Sequence, residues 1–391
     1  MYIIGKEEAD AVQRVIESKK LFRYLDGDES ESGKFEAEWA AKIGVKHAVA
    51  VTSGTAALIT ALVGLGVGPG DEVIVPAYTF MATALAPLAV GAVPIIAEVD
   101  ASLTLDPVDT ERKITPRTKA IIPVHMVGLP SNMDALMAVA RRHNVKVLED
   151  ACQADGGSYG GKRLGSIGDA GAFSFNYYKI ITCGEGGAMV TDDENVYHRA
   201  MVFHDGGSVF RDHASKITTP FFAGMNFRIN EILSAVLRVQ LTRLDGMLDA
   251  MLTEKRLMIQ ALDGAGDFTF NPIHDVEGDC GTTLALLFET PERVRDVLDK
   301  LHEQDVSAST PIDSGRHVYT NWEPVLKQQG AHHPGMDAYK LAEVPVEYTP
   351  DMCPNTLDVL ARTVFLYTNP TRSREDLDVM IEKVKCVLSE L

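Results

Sequence analysis

Seven short apolar runs recur along the first half of the chain: Ala48–Val51, Val73–Val75, Val93–Ile96, Ala120–Val124, Val145–Glu149, Ala172–Phe175 and Ala188–Thr191. They lack the strict alternation of a half-solvated strand, so they predict a sheet covered on both faces. Amphipathic helical patterns, such as Asp134–His143, separate the first five. Strands alternating with helices predict parallel βαβ units. Residues 1–45 are polar and helical in pattern, broken by an acidic loop at 26–33.

Beyond Asn226 the pattern changes to two long helical stretches, Glu231–Asp245 and Met247–Leu262. Sparser elements follow: a strand near Thr282–Phe288, a helix near Pro291–Glu303, a strand near Thr363–Thr368 and a helix near Arg374–Ser389. The class expected is α/β, with a large, mostly parallel-sheet domain over 1–250 and a smaller α+β domain over 251–391. A chain of 391 residues is too long for a single core, which also favours two domains.

Two stretches mislead. Val73–Ala97 carries no charge and is long enough to span a bilayer, but Pro76, Pro87, Gly91 and Pro94 interrupt it. It reads as a strand, a helix over about Thr79–Val90 and a second strand. The glycine-rich run Gly64–Gly70 follows a helix and precedes a strand, the reverse of a nucleotide loop, and reads as a helix-ending turn.

A net charge of −18 excludes nucleic acid and anionic membranes as partners but leaves room for a small anion bound locally. The five cysteines are odd in number and show no CxxC spacing, which excludes a disulfide framework and a structural zinc site. No metal is expected. The first residues, Met1–Glu8, lack the order of a signal peptide, so the expected compartment is the cytoplasm.

Three segments carry chemistry. Val51–Leu58, containing Ser53-Gly54-Thr55, sits where a buried strand runs into a helix. Its N–H groups suit a phosphate, although an ordinary Ser/Thr helix cap has the same residues. Val147–Ala154 ends an apolar strand in Glu149 and Asp150; a carboxylate there can hold a pyridinium nitrogen protonated, and the alternative is a solvated acidic loop. Cys152 reads as packing. In Phe173–Lys179, followed by Gly184-Glu185-Gly186-Gly187, a lysine lies among aromatic and apolar neighbours. A desolvated amine can form a Schiff base, whereas a surface lysine would simply extend into water. Phosphate cradle, acidic strand end and amine are together what a pyridoxal-phosphate enzyme needs.

With these segments the chain resembles the DegT/DnrJ/StrS-type sugar aminotransferases, which have the aspartate aminotransferase-like fold (fold type I). The matching motifs are Ser-Gly-Thr at 53–55, Gly-Asp-Glu-Val-Ile-Val-Pro at 70–76, Pro-Val-His at 123–125, Glu-Asp-Ala-Cys-Gln-Ala at 149–154, Phe-Ser-Phe at 173–175, Lys179, Gly-Glu-Gly-Gly at 184–187 and Asn-Phe-Arg at 226–228. The likeness runs from about residue 20 to 240 and fades beyond. It implies pyridoxal 5′-phosphate held as a Schiff base on Lys179. It further implies that Gly54, Thr55 and Ser174 bind the phosphate, Phe80 stacks on the ring, Asp150 pairs with the ring nitrogen and Gln153 bonds the ring hydroxyl. Asn226 would reach the phosphate of a neighbouring subunit, so a homodimer with shared active sites is implied. The reaction implied is ping-pong, from glutamate to a keto or aldehyde sugar.

The sequence departs from the family pattern twice. Ile180 stands where the family has Asn, and Thr310–Trp322 differs from the usual substrate-side stretch. Within that stretch Arg316 and His317 could take a carboxylate, or form a solvated loop. The stretch is similar to that of enzymes that aminate C8 of an oxidised 3-deoxy-manno-octulosonate for lipopolysaccharide, making the 8-amino-3,8-dideoxy sugar. Neutral nucleotide-linked keto sugars are the broader expectation. A pyridoxamine-phosphate-dependent sugar dehydratase would carry histidine in place of Lys179, and a non-catalytic regulatory relative would have lost part of the three-segment set. The roles of His125, Glu185 and His204 depend on geometry.

Overall fold

A computed structural model describes residues 3–390; Met1 and Tyr2, at the head of the stretch read for a signal peptide, and Leu391 lie outside the described residues. The strands are β1 His47–Val51, β2 Glu72–Pro76, β3 Val93–Ala97, β4 Thr118–Ile121 and β5 Lys146–Asp150, a short hairpin of β6 Ser158–Tyr159 and β7 Lys162–Arg163, then β8 Ala170–Ser174 and β9 Gly187–Thr191. Seven of these form one sheet in the order β1-β9-β8-β5-β4-β2-β3. Strands β8, β5, β4, β2 and β3 run parallel, and β9 runs antiparallel to both β8 and β1. The sheet is therefore mostly parallel and buried on both faces, as the unalternating runs require.

Because β1, β2, β5 and β8 point the same way, their carboxyl ends lie along one edge. That edge gathers the segments following Val51, Pro76, Asp150 and Ser174. The helix Gly54–Gly64, which leaves β1, is buried on most of its surface. Its Ala and Leu side chains let it pack between the sheet and other helices. Gly66 ends it with φ +79°, and Val67 N–H bonds Leu62 O at 3.0 Å, so the glycine run is a turn.

A second sheet contains β10 Thr269–Phe270, β11 Thr283–Leu287, β12 Ala308–Ser309 and β13 Thr363–Tyr367, ordered β10-β11-β13-β12 and antiparallel throughout. The helices Leu244–Leu262, Pro291–Glu303 and Arg374–Glu390 cover it, packing Met258, Val297, Leu298 and Ile381 against Leu284, Leu286 and Val364. The chain between these elements returns to the large sheet. Val318, Tyr319, Trp322 and Val325 share a buried cluster with Val75, Ala77 and Tyr78.

Some boundaries differ from the sequence pattern. Val73–Ala97 is strand, helix, strand, but the helix begins at Ala82 rather than Thr79. Thr79 and Met81 instead donate their N–H groups to His317 O (2.9 Å) and Arg316 O (3.2 Å). The long helices run Glu231–Leu241 and Leu244–Leu262. Among the described residues no helix is long and apolar enough to cross a membrane.

Candidate active site

The edge where the strand ends converge holds a cavity of about 580 Å³. Its lining includes Gly54, Thr55, Phe80, Asp150, Gln153, Ser174, Lys179, Arg316 and His317, residues that the sequence scatters over more than half its length. Asn226 is not among them. It is exposed, in an antiparallel bridge with Asp205, next to Phe227, whose carbonyl accepts from Thr52 N–H at 3.0 Å.

At one end lies the N-terminus of Gly54–Gly64. Ser53 caps it, its Oγ accepting from Ala56 N–H at 3.1 Å. The cap therefore exists, yet it does not displace the anion site. The N–H groups of Gly54 and Thr55 precede the first intrahelical donor, Ala57 N–H to Ser53 O, and remain for a ligand, favoured by the helix dipole. A Cβ on Gly54 would lie 2.7 Å from Ser174 Cβ and 3.0 Å from Cys152 Sγ, so the start of the helix packs against the end of β8 and the segment after β5 too closely for a side chain.

Asp150 forms the floor. Its Oδ2 accepts from Thr83 Oγ1 at 2.8 Å, and its Oδ1 from Cys152 N–H at 3.1 Å. Glu149 points to the opposite face, as neighbours on a strand must. It is fully buried and accepts from the N–H groups of Gly165 (2.8 Å), Ile167 (2.6 Å) and Gly168 (2.7 Å). It also bonds His125 Nε2 at 3.1 Å. Since His125 Nδ1 accepts from Ser131 N–H at 3.1 Å, the proton sits on Nε2 and is donated to Glu149. His125 and Glu149 thus brace the loop behind the site, leaving Asp150 as the carboxylate that faces the cavity. Burial and the Asp150 charge push the Cys152 thiol well above the ordinary range, which suits packing rather than attack.

Lys179 is half-buried on a tight loop between β8 and β9. The loop is closed by Tyr177 N–H to Gly184 O (3.0 Å), Cys183 N–H to Phe175 O (3.1 Å) and Lys179 N–H to Asn176 O (3.0 Å). Ile180 turns the other way, 7% exposed in an apolar cluster with Phe35, Phe175 and Ile229. An apolar residue suits that position, where Asn would bury an amide. Glu185 joins the lining and accepts from Asn176 Nδ2 at 3.0 Å. His204 is buried elsewhere, against the Tyr24 hydroxyl at 2.9 Å.

Arg316 and His317 form the wall opposite. Their backbone is fixed by the bonds from Thr79 and Met81, by Tyr319 N–H to Ala77 O (3.0 Å) and by Trp322 Nε1–H to Arg316 O (2.9 Å). The Arg316 guanidinium makes no ion pair among the described residues. The His317 ring lies 5.7 Å from that of Phe80. Burial chiefly, with the Lys179 and Arg316 charges, lowers the His317 pKa and keeps the ring neutral. Thr79 and Thr83 also line the cavity and carried no distinguishing motif in the sequence, and so do Asn176 and Tyr178, which lie within the Phe173–Lys179 segment but had no role of their own there.

These residues match the groups of pyridoxal phosphate in kind: free N–H donors for a phosphate, a carboxylate with unused lone pairs for a ring nitrogen, an aromatic face and a primary amine. The volume admits the cofactor with part of a second substrate. The description of the DegT/DnrJ/EryC1/StrS aminotransferase family matches residues 2–385. The chain belongs to that family. It is 36% identical over 367 residues to 3-amino-5-hydroxybenzoate synthase of Amycolatopsis mediterranei, covering 92% of this chain and 89% of that protein. It is 44% identical over 268 residues to dTDP-3-amino-3,4,6-trideoxy-alpha-D-glucose transaminase of Streptomyces venezuelae, covering 67% and 68%. A crystal structure of 3-amino-5-hydroxybenzoic acid synthase superposes with a TM-score of 0.81 at 31% identity, over 100% of this chain and 98% of that one. The fold is that of the fold type I aminotransferases, and the protein is a pyridoxal-phosphate-dependent aminotransferase.

Proposed function

We propose that this aminotransferase moves an amino group from glutamate to a keto or aldehyde sugar in cytoplasmic amino-sugar synthesis. The observation that carries the reading is the convergence of Lys179, Asp150 and the Gly54–Thr55 helix terminus on one cavity that also presents Arg316, whose guanidinium has no ion-pair partner among the described residues. The acceptor we name is 3-deoxy-manno-octulosonate oxidised at C8. Its product is the 8-amino-3,8-dideoxy sugar of lipopolysaccharide, with the acid's carboxylate held by Arg316. A guanidinium fixed by its backbone is suited to bidentate carboxylate binding.

The residues divide the work. Gly54 and Thr55 N–H groups with the Ser174 hydroxyl hold the phosphate, Phe80 covers one ring face, Asp150 pairs with the ring nitrogen and Gln153 bonds the ring hydroxyl. When bound, the cofactor supplies the carbon that carries the amino group and a ring that withdraws electrons from it. Lys179 would hold the cofactor, and its free amine is the base that would take the proton from the donor's α-carbon. Asp150 favours the cationic ring throughout by its opposite charge. Neutral His317 offers a ring nitrogen to an acceptor hydroxyl.

The proposal includes a homodimer in which Asn226 serves the partner's site. Exposed Leu21, Phe22, Leu25, Phe221 and Met225 support a chain-to-chain contact there. It also includes a division into a large cofactor-binding unit, 1–250, and a smaller unit, 251–391, crossed by the helix Leu244–Leu262. The second reading, favoured by the 44% identity to a dTDP-amino-sugar transaminase, is a nucleotide-linked keto sugar as acceptor.

The test is turnover with glutamate and each acceptor class, detected as the aminated product. The octulosonate reading expects turnover with the acidic sugar. It also expects a KM for that sugar raised roughly 10- to 100-fold in Arg316→Met, the scale of a lost charged hydrogen bond. Turnover confined to nucleotide-linked keto sugars, with Arg316→Met neutral, would establish the second reading instead.

A further inference from the structure

Behind the cavity the chain turns through Val127 with φ +48° and ψ +33°, followed by Gly128 with φ +81°. Glycine accepts the left-handed region freely, but a β-branched side chain there is an outlier that persists only where its surroundings hold it. Both polar groups of Val127 are held. Its N–H donates to Gln153 Oε1 at 3.2 Å, and its carbonyl accepts from Thr282 Oγ1.

The Val127 N–H can only donate, so the oxygen end of the Gln153 amide must face it. The NH2 end is thereby turned away from Val127 and finds no acceptor among the described residues. Gln153 lines the cavity, and an amide fixed this way presents a donor rather than an acceptor to a bound ring oxygen.

The holder, Thr282, is itself fixed from the other side. Cys280 N–H donates to Gly128 O at 3.1 Å, and Gly281 N–H to Asp279 Oδ1 at 2.8 Å. Asp279 makes an ion pair with Lys255 in which each side chain is 1% exposed. Thr368 donates Oγ1–H to Gly281 O at 2.8 Å and N–H to Thr282 O at 3.2 Å. The segment Asp279–Thr282, which leads into β11, therefore clasps the Val127 turn.

We infer that Thr282 is a positioning residue: by holding Val127 in the left-handed region, it fixes the Gln153 amide with its donor end toward the cofactor. Without the Thr282 hydroxyl, Val127 relaxes to an ordinary conformation. Its N–H then leaves Gln153 Oε1, and the amide is free to rotate. The inference rests on the reading that Gln153 bonds the ring hydroxyl.

The test is a pH titration of the visible band of the purified holoenzyme with bound pyridoxal phosphate. The variants are Gln153→Ala, Thr282→Val, Thr282→Ala, Thr282→Ser and the double variant Gln153→Ala/Thr282→Val. The charged and titratable groups around the ring, Asp150, Cys152, Tyr178, Lys179, Glu185, Arg316 and His317, with Asp155 behind Lys179, are unchanged in each. A hydrogen bond to the ionised ring oxygen favours that form, so losing the donor makes the chromophore more basic. The expected result is a midpoint raised by roughly half a pH unit or more in Gln153→Ala, Thr282→Val and Thr282→Ala. Thr282→Ser should restore it, and the double variant should move no further than Gln153→Ala alone. An unmoved midpoint in Gln153→Ala overturns the reading of Gln153 and the inference with it. A moved midpoint in Gln153→Ala beside unmoved ones in both Thr282→Val and Thr282→Ala overturns the inference alone, as does a Thr282 effect that persists in the double variant.

Discussion

Thr83 donates its hydroxyl to Asp150 Oδ2 across 2.8 Å, and both side chains are buried. Its one proton is committed to the carboxylate, so the 2.8 Å contact with Thr79 Oγ1 has Thr79 as donor. The pair of threonines, with the Cys152 N–H on the other oxygen, sets the plane of the carboxylate and leaves its remaining lone pairs toward the cavity.

Thr83→Val keeps the shape of the side chain and removes this bond. The glutamate half-reaction, followed by stopped-flow absorbance, is expected to slow about tenfold, and Asp150→Asn by considerably more, since it removes the charge itself. A wild-type rate in Thr83→Val would remove Thr83 from the support of Asp150.

Asp155 is 1% exposed, and among the described residues neither carboxylate oxygen has a well-formed hydrogen bond, the Ile181 N–H being the one backbone donor turned toward it. Burial raises its pKa well above the ordinary range against the opposing pull of Lys179. The folded chain thus holds this proton more tightly than the unfolded chain does. The contribution to stability is full below the ordinary carboxyl range and is lost as pH rises out of it. Asp155→Asn is therefore expected to stabilise the fold at pH 7.5 by on the order of 1–3 kcal/mol in urea unfolding, the gain shrinking toward pH 4. An equal or larger gain at pH 4 would contradict this.

His204 carries the opposite linkage. Burial first, and then the nearby Arg23 charge, lowers its pKa to about 3. The unfolded chain takes the proton more readily, so stability is full above about pH 6.5 and is lost as pH falls toward 3. In this window His204 contributes a slope of up to ~1.4 kcal/mol per pH unit. Denaturant unfolding at pH 7.5, 5.5 and 4.5 should show a shallower dependence in His204→Gln than in the parent. Equal dependences would assign the acid sensitivity to other groups.

The parallel sheet was readable in the sequence because strands buried on both faces leave apolar runs, and those runs lie within β1, β2, β3, β4, β5, β8 and β9 or overrun them by one to three residues. The two-residue strands β6, β7, β10 and β12 leave no such trace, because so short a segment has no period. At the site, Lys179, Asp150 and Ser53–Thr55 stood out because amine, carboxylate and glycine in those settings suggest a task. Thr83 did not, being one small residue in an apolar helix. The clasp between Arg316–Tyr319 and Ala77–Met81 joins backbone groups far apart in the chain, which side-chain patterning cannot reveal. The adjacent carboxylates Glu149 and Asp150 were equivalent until the strand put them on opposite faces.

Every assignment at the site depends on the proposal that Lys179 carries pyridoxal phosphate and that glutamate charges it with an amino group. The most direct measurement is the near-ultraviolet and visible absorbance of purified protein and of Lys179→Ala, before and after glutamate. The parent is expected to show a yellow band that glutamate replaces with a shorter-wavelength band like that of pyridoxamine phosphate, with no such exchange in Lys179→Ala. A parent protein that stays colourless when supplied with pyridoxal phosphate, or a Lys179→Ala variant that exchanges its band like the parent, would contradict that proposal.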